Sequence, residues 1–245
     1  MKKQNEYFAN IRNILSQIEE NCAQQIEDAS DLFANAIAQG RKIYLFGTGH
    51  SHMLAEELFY RAGGLLNIQP IFVEELMLHV SASESTIAER KEGLAREIFE
   101  SYSISPDDVI VIISNSGRNG VVIDMALLCK ERGVKVIALT SLEHSNAGES
   151  RHPCGKRLWE LSDIVLDNCG CHGDACIEIA GVQGKICATS TVAGSAILNA
   201  VVARAVEICA ENKIYPDHFC SANVDGGDEI NNALIEKYRR EIKHL

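Results

Sequence analysis

Asp108-Val109-Ile110-Val111-Ile112-Ile113-Ser114-Asn115-Ser116-Gly117-Arg118-Asn119 changes character once, between Ile113 and Ser114. Five consecutive β-branched residues, bounded by Asp107-Asp108 and by a Ser/Asn/Gly cluster, predict a strand buried on both faces. Past the cluster, Val121, Val122, Met125, Leu128 and Cys129 recur at helical spacing and predict a helix from Val121 to Arg132. Hydroxyls, an Asn amide and free backbone N–H groups thus converge at a helix N-terminus, where the dipole favours an anion. That is the outline of a phosphate cradle. A cap alone also calls for Ser or Asn at such a turn. Three side-chain donors around one Gly, with Arg118 adjacent, are more than a cap needs.

The same strand–loop–helix grammar repeats on either side. Lys42 to Phe46 reads as a strand ending in Gly47-Thr48-Gly49-His50-Ser51-His52, with a helix from about Met53 to Ala62. Ile68 to Val73, Val134 to Leu139 and Asp163 to Leu166 read as further strands, and Glu89 to Tyr102 as a helix. Residues 1–39 read as an N-terminal helix stopped by Gly40. Residues 74–85 read as a loop over the site and 144–156 as an irregular loop. A long helix is expected over 187–211 with Thr189-Ser190-Thr191 at its start, then a polar loop over 223–229 and a last helix over 230–242.

Alternating strands and helices predict one α/β domain over 1–245: an N-terminal helical segment (1–39), a sheet core (40–180) and C-terminal helices (187–245). The expected architecture is a three-layer α/β/α sandwich around a flavodoxin-like five-stranded parallel sheet of order 2-1-3-4-5. In such a sheet the loops at 47–52, 114–119 and 140–141 all leave the carboxyl ends of strands, so they share one edge. Gly47-x-Gly49 lacks the third glycine of a dinucleotide fingerprint, which argues against a nucleotide.

Composition narrows the partners. The 245 residues carry a formal charge of −11, with 34 Asp and Glu against 23 Lys and Arg. A nucleic-acid footprint calls for a basic face, so none is expected. Met1-Lys2-Lys3-Gln4-Asn5-Glu6 leads into an amphipathic segment, so neither a signal peptide nor a membrane span is expected. Nine cysteines without a secretory signal point to free thiols in a reducing, cytoplasmic setting.

On these motifs the chain resembles the sugar isomerase (SIS) domain family, whose members bind phosphorylated sugars. Ser114-Asn115-Ser116-Gly117-Arg118, with Asn119 in the Thr place, matches the family's Ser-x-Ser-Gly-x-Thr phosphate motif, and Gly47-Thr48-Gly49-His50-Ser51 matches its first glycine loop. The whole set, with Tyr60-Arg61-Ala62-Gly63-Gly64, is most similar to the phosphosugar-binding, phosphoheptose-isomerase-like subgroup. Ala55-Glu56-Glu57-Leu58-Phe59-Tyr60-Arg61 repeats that isomerase's Ala-Glu-Glu-Leu-x-x-Arg, one helical turn closer to the glycine loop. The resemblance implies that Glu57 moves the proton. The relative's partner His would come from the C-terminal helices, and the helix expected over 189–211 has none.

The expected function is sugar-phosphate binding with aldose–ketose isomerisation, in which a carboxylate or His carries a proton between adjacent carbons. Candidate catalytic groups are Glu57, Glu56 and His52. Candidate phosphate and sugar contacts are Gly49, His50, Ser51, Ser114, Asn115, Ser116, Arg118, Asn119, Ser190 and Thr191. An etherase-like lyase acting on an amino-sugar 6-phosphate, or a non-catalytic sensor, are the alternatives. No cofactor or metal is expected. Cys169, Cys171, His172 and Cys176 are the weak candidates for zinc, because their spacing fits no common finger. Asp167, Asn168 and Asp174 beside them are expected to shape the loop or meet sugar hydroxyls. A homodimer or homotetramer is expected through the terminal helices.

Overall fold

The computed structural model describes residues 2–245. Five parallel strands, β1 (Ile43–Gly47), β2 (Ile68–Ile71), β3 (Val109–Ile113), β4 (Lys135–Thr140) and β5 (Ile164–Asp167), bond in the order β2-β1-β3-β4-β5. This is the flavodoxin-like order expected from sequence. β1 and β3 pair throughout, from Ile43 opposite Val109 to Gly47 opposite Ile113. Successive side chains of a strand point to opposite faces, so the Val/Ile run feeds two cores. Val109, Val111 and Ile113 join Ile43 and Leu45 on one face; Ile110 and Ile112 join Tyr44 and Phe46 on the other. Each such side chain contributes about 1.5–3 kcal/mol on full burial, which leaves no room for a polar residue in the run.

Helices cover both faces. α1 (Lys3–Asn21), α2 (Ala23–Ala38), α3 (Met53–Leu58) and α8 (Ser190–Glu211) close the first core, and α5 (Leu94–Ser101) and α6 (Gly120–Arg132) close the second. α8 is long and apolar enough to cross a membrane by length and composition. Its Ala193, Ile197, Leu198, Val201 and Ala205 are buried in the first core, which accounts for that composition. Two carboxylates pin strand entrances: Asp108 accepts from the amides of Lys42 and Ser105 at 3.0 and 2.8 Å, and Asp163 from that of Val136 at 2.9 Å.

Several expected boundaries move. The single N-terminal helix is two, broken at Cys22, where φ/ψ is −113°/7°. An unbroken helix of that length would extend about 54 Å; the break lets α1 and α2 each lie against α8. The helix expected to reach Ala62 stops at Leu58, because Phe59 turns extended to pack on Phe72 and Tyr60 packs on Phe219 at 5.0 Å. The loop expected over 74–85 is a short 3-10 turn followed by α4 (Leu78–Ala88), kinked at Ser81 and tied back by the Ser85 hydroxyl donating to the Leu76 carbonyl. Within 144–156 the chain starts in α7 (Leu142–Asn146), capped by Ser141. The long C-terminal helix begins at Ser190, because Lys185–Ala188 forms β7, paired antiparallel with β6 (Ala175–Glu178). The last helix, α9 (Gly227–Tyr238), starts inside the expected polar loop.

Candidate functional site

The carboxyl ends of β1, β3, β4 and β5 meet the N-terminus of α8 around one small cavity of about 20 Å³. His50 and Ser51 come from the loop after β1, Asn115 from the loop after β3, Asn168 from the end of β5, and Ser190 and Thr191 from α8. Ile113 and Leu139 form its apolar floor. The cavity sits at the β1/β3 switch point, where the sheet winds outward in both directions and ligands of such folds bind. A larger depression of about 250 Å³ lies at the opposite edge, where β4 begins. Its Lys135 and Asp163 are already paired at 2.7 Å, and no loop of the cradle reaches it.

The first loop is shaped by contact rather than by side-chain caps. A Cβ on Gly47 would lie 2.6 Å from the Ser51 backbone carbon, so only glycine lets the chain fold back into the 3-10 turn Gly49–His52. Thr48 donates to Glu89 at 2.9 Å. The buried His52 ring uses Nδ1 on the Gly49 carbonyl and turns Nε2 to Glu56 Oε1 at 3.3 Å. A carbonyl only accepts, so Nδ1 carries a proton there.

In the second loop, Ser114 Oγ accepts from the Gly117 amide at 3.1 Å and shapes the turn itself. The Asn115 carbonyl accepts from the Ser141 amide, and its side-chain oxygen accepts from Asn168 at 2.8 Å. Asn119 starts α6 without a side-chain cap bond; its oxygen accepts from Arg151 instead, at 2.9 Å. Among the described residues, the hydroxyls of Ser51, Ser116 and Thr191 have no hydrogen-bond partner, which sets them apart from Ser114. Cations gather beside the loop. Burial, then Arg118 and Arg90, push the Arg151 pKa down, and the buried Arg118 Nε lacks a partner among the described residues.

At α8 the structure adds a feature that the sequence did not announce. The Asp174 carboxylate already occupies the helix N-terminus, accepting from the Thr189 and Ser190 amides at 2.9 and 2.8 Å and from Ser190 Oγ at 2.6 Å. Ser190 is therefore committed to Asp174, and Thr191 is the free hydroxyl of that pair. Of the residues expected to shape this loop or meet sugar hydroxyls, Asn168 donates to Asn115 and Asp174 caps α8.

Glu57 is placed elsewhere. Its carboxylate pairs with Arg61 and accepts from Asn199 at 3.2 Å, beside a separate cavity bordered by Arg61, Gly64 and Val202. The structure therefore brings Glu56 and His52 together and leaves Glu57 facing the middle of α8. The weak zinc candidates do not converge. Cys169 turns to Cys22 and the Asp167 carbonyl, Cys171 donates to the Ala175 carbonyl, and His172 meets His144 at 3.2 Å. Among the described residues no three His, Cys, Asp or Glu side chains gather as a metal would require.

The sequence matches the SIS domain family over residues 6–141. A UPF0309 protein from Geobacillus kaustophilus is 46% identical over 241 residues, 98% of this chain and 96% of the relative. A UPF0309 protein from Listeria monocytogenes is 42% identical over 241 residues, 98% of each chain. Among solved structures, a phosphoheptose isomerase from Francisella tularensis superposes with a TM-score of 0.53 at 18% identity, covering 83% of this chain and 96% of that one. The Vibrio vulnificus NanR protein complexed with ManNAc-6P gives 0.50 at 18% identity, over 95% of this chain and 69% of the other. At these identities the structural likeness concerns the fold.

Proposed function

This chain belongs to the SIS domain family, and from that membership we propose that it binds a phosphorylated sugar at the edge cavity and interconverts its aldose and ketose forms. The observation that carries the reading is the convergence of His50, Ser51, Asn115 and Thr191, from three distant stretches of chain, at the β1/β3 switch point. Ser51, Ser116 and the amides opening α6 hold the phosphate, with Arg118 and Arg151 supplying positive potential beside them. Relatives of this fold named as phosphoheptose isomerases support the class of ligand.

The proton belongs to Glu56 with His52 in this reading. With Nδ1 held by the Gly49 carbonyl, Nε2 faces Glu56 Oε1 at 3.3 Å. In this reading Glu56 removes a proton from the carbon beside the sugar carbonyl and returns it to the neighbouring carbon through an enediol. Glu57, neutralised by Arg61, keeps α3 against α8.

Proton NMR in deuterated water with hexose, heptose, amino-sugar and muramic acid phosphates tests this. The expected result is loss of the signal beside the carbonyl and appearance of the isomer. Glu56→Gln should slow exchange by about 100-fold or more while sugar-phosphate binding remains; Glu57→Gln should leave exchange within a few-fold. Binding with no exchange would replace the isomerase by a sensor, and release of a substituent would replace it by a lyase.

A further inference from the structure

The β6–β7 hairpin stands apart from the parallel sheet and carries thiols that the proposed reaction does not use. Ala175 pairs with Ala188 and Ile177 with Ile186, so Cys176 and Cys187 occupy the register position between those two pairs. Opposed residues of an antiparallel ladder have Cα atoms about 4.5–5.5 Å apart, inside the about 4.4–6.8 Å that a disulfide spans. Tyr7 of α1 lies over this end: its hydroxyl donates to the Ala188 carbonyl at 3.0 Å, and Asn10 donates to the Cys176 carbonyl at 3.4 Å. Burial, then the thiolate charges of Cys176 and Cys187, push the Tyr7 pKa up, so one phenol senses both sulfurs. Cys187 is exposed and held at φ 65°, a region that residues with a Cβ rarely enter.

The other thiols are less suited. Cys22 and Cys169 face each other, but burial leads the causes that push the Cys169 pKa up to about 12, where thiolate is scarce near neutrality. Cys171 is turned onto the Ala175 carbonyl at 3.4 Å, and burial raises its pKa as well.

We propose that Cys176 and Cys187 form a disulfide by exchange with a low-molecular-weight disulfide, making this hairpin a thiol-modification site. The exposed Cys187 thiolate attacks one sulfur of the small disulfide, whose S–S bond breaks and releases one thiolate. Cys176 then attacks the Cys187 sulfur and expels the second thiolate. The two cysteines are oxidised, the small disulfide is reduced to two thiols, and the two cysteine protons end on those thiols. The new bond fixes the segment between Asp174 and Ser190, the acceptor and donor of the α8 cap.

The folded full-length chain, treated with oxidised glutathione and digested with trypsin without reduction, provides the test. The expected product joins the peptides 158–185 and 186–204 and weighs two hydrogens less than their sum. It should persist in Cys169→Ser and Cys171→Ser and vanish in Cys176→Ser, where Cys187 keeps its glutathione adduct. A wild-type chain that stops at the glutathione adduct overturns the proposal. So does a cross-link that survives Cys176→Ser, or one formed equally well in the urea-unfolded chain.

Discussion

Serine is one residue type with two roles in this cradle. Ser114 Oγ accepts from the Gly117 amide inside the loop, whereas the hydroxyls of Ser51 and Ser116 have no partner among the described residues and are, in the proposed function, the ones that meet the phosphate. Ser51→Ala and Ser116→Ala should each weaken sugar-phosphate binding by about tenfold, the loss of one hydrogen bond of about 1.4 kcal/mol, with little change in Tm. Ser114→Ala should instead lower Tm, since it leaves a buried amide unpaired. Calorimetric titration alongside thermal melts separates the two; equal effects in all three variants would contradict the division. The residue types at 114–119 were legible in the sequence. Their division was not, because it depends on a backbone bond three residues away. Glu57 carries the same lesson: the motif that singles it out records its neighbours in sequence, and Arg61 and Asn199 are its neighbours in space.

Elements explain where motifs end and how closely they pack. α8 meets α3 at Gly194, where a Cβ would stand 2.4 Å from Leu54 Cδ1. Leu54 lines the cavity, so a residue larger than glycine would push its side chain into the candidate site. Gly194→Val should therefore destabilise the fold by about 1–3 kcal/mol and shift Thr191 away from Ser51. Denaturant unfolding gives the first quantity, and sugar-phosphate affinity reports the second. A melt and an affinity like those of the wild type would show that α3 yields without cost. Helical periodicity located α8 but missed where it starts. β7 carries no apolar alternation, all four of its residues are exposed, and only its pairing with β6 defines it.

Across the molecule, acid should loosen the fold in two steps. Burial, then His172, push the His144 pKa below its usual 6.5, and burial, then Lys243, do the same to His244 where it meets Tyr102 at 2.9 Å. For a base a lowered pKa means that the fold prefers the neutral form. That stabilisation is complete above 6.5 and is lost as pH falls from 6.5 through the lower folded values. Asp217, lowered from 3.8 first by Lys237 and then by Tyr238, gives a separate loss below 3.8. Melts across pH should show both losses, and replacing His144 and His244 by Gln should remove only the first.

The sequence by itself determined the sheet, its order and the edge where the glycine and serine loops gather. A period of two over β-branched runs and a period of 3.6 between them are local consequences of side-chain geometry. The phosphate motif was equally local, since one strand, one turn and one helix start make it. Only the tertiary structure decided which donors remain free, that Asp174 caps α8, that Glu56 rather than Glu57 meets His52, and that Cys176 and Cys187 share one hairpin. Each of these depends on contacts between residues brought together by packing, where side chains fill the remaining space and polar groups take the nearest unpaired partner.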